Sequence, residues 1–200
     1  MTRDIIIATK NDKKLHELKR YLKSVKATVH SLKDLGKTPR IVENGDTFKK
    51  NAVKKAVVVS KFTDAITLAD DSGLAVDILG GQPGVKSARF AGPHKGDHDN
   101  NIKLLRLLEG VPLRKRKARF VCAIAIADKG KVVKLIEEDC KGLIAFSICG
   151  RRGFGYDPLF LIPKYNKTFG ELGLKVKDKM SHRSKALKKA RAFLRKYLSR

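Results

Sequence analysis

The chain has 200 residues, 42% of them apolar, which is enough for one compact domain of two lobes (1–200) and too few for two independent domains of ordinary size. Lysine and arginine number 45 against 20 acids, and the resulting charge of +25 favours polyanions such as nucleotides, nucleic acid or an anionic surface without choosing among them. No stretch approaches the roughly 18 apolar residues of a membrane span. On that ground a cytoplasmic protein without membrane association is expected, and because Cys122, Cys140 and Cys149 are odd in number and lack a Cys-x-x-Cys spacing, buried free thiols are expected in place of a disulfide framework or structural zinc.

In chain order, Asp4 to Thr9 reads as a buried strand, and Leu15, Leu18, Leu22 and Val25 recur at the spacing of one helical face, joined to it through Lys10-Asn11-Asp12. Phe48, Ala52, Ala56 and Val59 give a second helical stripe after Asn44-Gly45-Asp46. Ala65 to Ala69 is a short strand that is expected to end in an acidic turn at Asp70-Asp71. Gly80-Gly81-Gln82-Pro83-Gly84 and Ala91-Gly92-Pro93 mark turns, after which Ile102, Leu105 and Leu108 suggest a helix. Segments near Ala118 to Ala127, Lys131 to Glu137 and Gly142 to Ile148 suggest an antiparallel meander. Ser181 is placed to cap a last helix in which Leu187, Ala190, Leu194 and Leu198 share a face, and from Lys175 to Arg200 there are 11 basic residues against one acid. Strand-helix units followed by a meander predict an α/β fold: a mixed central β-sheet flanked by helices, in two lobes with an active-site cleft between them.

Several segments bear chemistry. A helix that starts after a strand presents unpaired N–H groups, so Thr9, Lys10, Asn11, Asp12, Lys13 and Lys14 form a candidate phosphate cradle, although Asn11 and Asp12 are also ordinary caps. Asp70 and Asp71 repel one another, and a hard cation such as Mg²⁺, with Glu43 as a further oxygen ligand, would offset that repulsion while Asp71 polarises a water. The same four residues, Asp70-Asp71-Ser72-Gly73, also suit a plain hydrogen-bonded turn. Gly150 to Pro158 fails the dinucleotide-binding glycine spacing, and Val85 breaks the P-loop pattern of Gly80 to Ser87. What remains there is Phe154 and Tyr156 on a glycine-rich backbone, suited either to stacking on a base or to a core. Ser181-His182-Arg183 offers donors at a helix start, whereas His94, Asp97, His98 and Asp99 lie in a polar loop without a committed third metal ligand.

Taken in order, these segments resemble the inosine triphosphate pyrophosphatase family over nearly the whole chain. The resemblance is carried by Ala8-Thr9-Lys10-Asn11 with Lys14, Glu43-Asn44-Gly45-Asp46-Thr47-Phe48 running into Asn51-Ala52 and Lys55-Ala56, and Ala69-Asp70-Asp71-Ser72-Gly73-Leu74. It continues through Gly80-Gly81 with Pro83-Gly84, Ser87-Ala88-Arg89-Phe90, Phe154-Gly155-Tyr156-Asp157-Pro158, and Lys177 with Ser181-His182-Arg183. It implies a homodimeric, Mg²⁺-dependent hydrolase that splits ITP, dITP or XTP between the α- and β-phosphates. On that resemblance Thr9, Asn11, Lys14 and Lys55 hold the triphosphate, and Glu43 and Asp71 hold the metal. Asp71 activates water with Asp70 in support, Ser72 touches substrate, and Phe154 stacks on the purine beside Gly155 and Tyr156. Asp157, Lys177, His182 and Arg183 read the purine edge, where donors fit a 6-keto oxygen and meet only an amino group in adenine. Lys10 and Arg152 depart from the family pattern, in which glycine is common. Two other readings stay open: a nucleic-acid-binding protein on the same fold, its basic last helix the contact surface, and a pyrophosphatase for other modified nucleotides.

Overall fold

A computed structural model describes residues 3–199. The main elements are β1 (Asp4–Ile7), α1 (Asp12–Leu22), β2 (Thr28–Ser31), α2 (Phe48–Thr63), β3 (Ile66–Val76), α3 (Asp97–Leu107), β4 (Lys117–Asp128), β5 (Lys131–Ile144), β6 (Phe160–Ile162), β7 (Lys167–Thr168), α4 (Leu174–Met180) and α5 (His182–Leu198). Seven strands form one sheet in the order β2-β1-β3-β4-β5-β6-β7. β1 is parallel to β2 and β3, and β6 is antiparallel to β5 and β7, so the sheet is mixed as the sequence suggested. The contacts divide the chain into two compact units, one of Met1–Asp71, Cys122–Glu138 and Lys185–Arg200, the other of Ser72–Val121 and Asp139–Ser184. No helix among the described residues is long and apolar enough to cross a membrane.

In the first unit, strand alternation sends successive side chains to opposite faces. Ile5, Ile7, Leu68, Cys122, Ile124 and Ile126 pack with Leu18 and Leu22 of α1 and with Ala186, Leu187, Ala190 and Leu194 of α5. Ile6, Ala8, Ala69, Ala123, Ala125 and Ala127 pack with Ala52, Ala56 and Val59 of α2. The strand residues of this second face are almost all alanine. In the second unit Leu74, Phe120, Phe160 and Phe169 belong to a separate core with Leu104 and Leu108. Its rings are in contact, Phe120 lying 4.4 Å from Phe160 between centroids.

Four expectations are corrected. There is no acidic turn at Asp70-Asp71, because β3 runs unbroken through both aspartates to Val76. Gly73 is needed for close approach rather than for turning: a Cβ there would lie 2.8 Å from the Gly84 carbonyl and would also meet the Ser87 hydroxyl. That hydroxyl accepts from the Leu74 N–H at 2.9 Å and donates to the Gly84 carbonyl at 2.6 Å. The second and third predicted strands of the meander are one strand, β5, in which Glu137 and Asp139 share the parity opposite to buried Ile136 and Cys140, and Glu138, on the parity of those two, is ion-paired with Lys189. Phe146 to Ile148, assigned to a strand, lie outside it. In α3 the fully buried positions are Asn100, Asn101 and Leu104, with Leu108 at its C-cap, while Ile102 is only half-buried. β2 and α4 were not anticipated; each is a short element of four and seven residues whose periodicity is too brief to read.

Candidate active site

The first unit holds a phosphate-type helix start and the carboxylates. Asn11 caps α1, its Oδ1 accepting from the Lys14 N–H at 3.1 Å, and the Asn11 N–H donates to Thr9 Oγ1 at 3.2 Å. An 11-residue helix therefore opens beside Thr9 with its positive dipole end outward. Lys14 turns its ammonium to Asp70 Oδ1 at 2.5 Å. Lys10 and Lys13 are exposed on this segment, and Asp12 is engaged away from it with Lys33 at 2.6 Å.

Continuation of β3 through the aspartates gives them different neighbours. Asp70 has the parity of Leu68 and is 1% exposed, held by Lys14 and by the Cys122 thiol, which donates to Asp70 Oδ2 at 3.0 Å. Asp71 has the parity of Ala69 and lies with α2, where Lys55 Nζ donates to Asp71 Oδ1 at 3.2 Å and to Glu43 Oε2 at 2.7 Å. Burial pushes the Asp71 carboxyl above its usual range against the opposing pull of Lys55 and Lys14. Burial acts to lower the Lys55 ammonium, but Asp71, Glu43 and Asp70 together hold it above its ordinary value.

Asp71 Oδ2 is buried without a hydrogen-bond partner among the described residues. Two carboxylates on one ammonium, with an oxygen left over, are a donor set that fits Mg²⁺. That ion takes only one or two protein carboxylates when substrate phosphates complete its shell. Among the described residues no group of three or more His, Cys, Asp and Glu side chains could hold a metal without such help.

The second unit holds the residues assigned to the base. Phe154 is half-buried, with Lys177 Nζ 5.0 Å and the Arg183 guanidinium 5.3 Å from its ring centre. Arg183 donates to Ser72 Oγ at 2.7 Å. Lys177 is ion-paired with buried Asp157, whose Oδ2 also accepts from the Phe154 N–H at 2.8 Å. Burial pushes the Asp157 carboxyl upward and Lys177 opposes it. His182 is stacked on Phe120 with centroids 4.8 Å apart, and Ser181 caps α5 by accepting from the Ser184 N–H at 3.2 Å.

The alternatives for Tyr156 resolve toward the core: it is 3% exposed, and its hydroxyl donates to the Ser87 carbonyl at 2.9 Å. Arg152 donates to the Glu171 carbonyl at 3.1 Å and so has a structural contact of its own. Cys122 and Ser87 were not among the candidates for the polar network. Each reaches its partner across strands or loops, and single-sequence spacing carries no signal for such a meeting.

A family model described as the Ham1 family matches residues 5–193. A dITP/XTP pyrophosphatase of Bacillus licheniformis is 50% identical over 192 residues, covering 96% of this chain and 98% of its own. One from Desulforamulus reducens is 49% identical over 190 residues, covering 95% and 94%. The solved Ham1 protein of Staphylococcus aureus superposes with a TM-score of 0.88 at 36% identity, covering 98% of this chain and 100% of that one. With a family match over residues 5–193 and relatives near half identity, this chain belongs to the Ham1 family.

Proposed function

We propose that this protein hydrolyses non-standard purine nucleoside triphosphates, ITP, dITP and XTP, to the nucleoside monophosphate and pyrophosphate, and so cleanses the nucleotide pool. The observation that carries the reading is the Glu43–Lys55–Asp71 arrangement: two carboxylates share one buried ammonium, and Asp71 Oδ2 is left without a partner among the described residues. A polyanion binder gains nothing from concentrating negative charge in this way, which weighs against the nucleic-acid reading.

Glu43 and Asp71 would hold Mg²⁺, which when bound neutralises phosphate charge and makes the leaving pyrophosphate easier to expel. The helix start at Thr9 and Asn11, with Lys14, binds phosphate oxygens and stabilises the charge that develops on them. Asp71, raised by burial, accepts a proton from the attacking water, and Lys55 holds that carboxylate in place. Asp70 fixes Lys14. In the second unit Phe154 offers a ring for the purine, and the donors of His182 and Arg183 suit a 6-keto oxygen. We assign both units to one functional domain, working in the cytoplasm as a homodimer; sedimentation of the purified protein tests the dimer.

The decisive experiment is a panel of nucleoside triphosphates with separate detection of pyrophosphate and orthophosphate. ITP, dITP and XTP should release pyrophosphate in a Mg²⁺-dependent reaction that Asp71→Asn lowers by about a hundredfold or more. A fully active Asp71→Asn enzyme rules out the mechanism. Preference for modified pyrimidine substrates would move the assignment to another class of nucleotide.

A further inference from the structure

One residue of the proposed base loop is gripped from both sides by a helix that the reaction does not otherwise use. The Gly155 N–H donates to Asp97 Oδ2 at 2.8 Å, and the Gly155 carbonyl accepts from Asn101 Nδ2 at 3.0 Å. Asp97 and Asn101 are four residues apart on α3 and therefore share a face. They capture the donor and the acceptor of a single peptide residue, and Gly155 sits in the left-handed region with φ of +63°. A Cβ at Gly155 would meet nothing within 4 Å, so glycine is required there by backbone conformation rather than by space.

Asn101 is 3% exposed, and its Oδ1 has no hydrogen-bond partner among the described residues. A buried amide that leaves its own acceptor unpaired costs free energy, which the bond to the Gly155 carbonyl must offset. Immediately before Gly155, the Phe154 N–H is held by Asp157; immediately after it, Tyr156 is locked in the core. The ring of Phe154 is thus carried on a backbone fixed at three consecutive residues, and the middle fixture belongs to α3.

We propose that Asp97 and Asn101 are positioning residues for base recognition: they set where the Phe154 ring stands, and they act on substrate only through it. This rests on the assignment of Phe154 to the purine. The Asn101 amide cannot be replaced by a hydrocarbon without freeing the Gly155 carbonyl, whereas Asp97→Asn keeps an oxygen acceptor for the N–H.

The test is a double-mutant cycle on ITP hydrolysis, with Kd values for inosine monophosphate and for pyrophosphate measured calorimetrically. Asn101→Ala should raise KM for ITP and Kd for inosine monophosphate about tenfold, change kcat less than about threefold, and leave pyrophosphate affinity unaltered. In a Phe154→Ala background the same substitution should add less than about twofold to KM. Asp97→Ala should behave as a milder version that Asp97→Asn restores, and because Asp97 is exposed this pair remains informative should Asn101→Ala fail to fold. An unchanged KM in folded Asp97→Ala, or a full tenfold effect of Asn101→Ala that persists without the Phe154 ring, overturns the proposal. Wild-type protein that releases no pyrophosphate from ITP, dITP or XTP overturns the functional reading beneath it, an outcome separate from active wild type with unaffected variants.

Discussion

Lys55 is the residue on which the carboxylate chemistry turns. Its ammonium donates to both Glu43 and Asp71, and it pulls the Asp71 carboxyl down against the burial that raises it. A base must be deprotonated to act, so the acid limb of kcat/KM should lie above the ordinary aspartate range. Lys55→Met removes a lowering influence, and the limb should therefore move to higher pH, with neutral-pH kcat/KM reduced by about tenfold or more. A pH–rate profile of the variant checks both the sign and the size. That Thr9 and Asn11 stand at a helix start, and that Glu43 and Asp71 lie together, was open to reading because short motifs carry those residues. Cys122 was not, because its meeting with Asp70 depends on a pairing between distant strands.

At the level of elements, the helix stripes of α1, α2 and α5 were legible, since each buries residues at the helical period. Asp70-Asp71-Ser72-Gly73 was misread for a physical reason. Its residue types favour turns, yet Lys14, Lys55 and Cys122 supply the partners that let two carboxylates stay inside a strand. Nothing within the motif announces those partners. The alanine face beneath α2 brings its own expectation. Ala125 is fully buried against that helix, so Ala125→Leu has no space to enter and should destabilise the protein by about 1–3 kcal/mol, read from a urea unfolding curve. Ala125→Gly tests strand propensity and would not reproduce an overpacking effect.

For the whole molecule, a charge of +25 sets a long-range field that attracts a triphosphate before any specific contact forms. The mixed-sheet fold was readable from pattern, but composition could not separate this field from a surface for nucleic acid. Ionic strength separates capture from chemistry. Raising salt from about 20 to about 200 mM at fixed free Mg²⁺ should lower kcat/KM for ITP several-fold while kcat changes little. A kcat that falls in parallel would place the charge in the chemical step instead.

The thiol behind Asp70 gives the fold a built-in clock. Cys122 stands on β4 beside β3 and is fully buried in the core with residues of α1 and α5, so an alkylating reagent reaches it only when that packing opens. Cys149 is partly exposed in the second unit and reacts without such an opening, which makes it the internal reference. The ratio of the two labelling rates measures how often the strand that bears the aspartates comes apart, in a protein carrying no probe but its own sulfur.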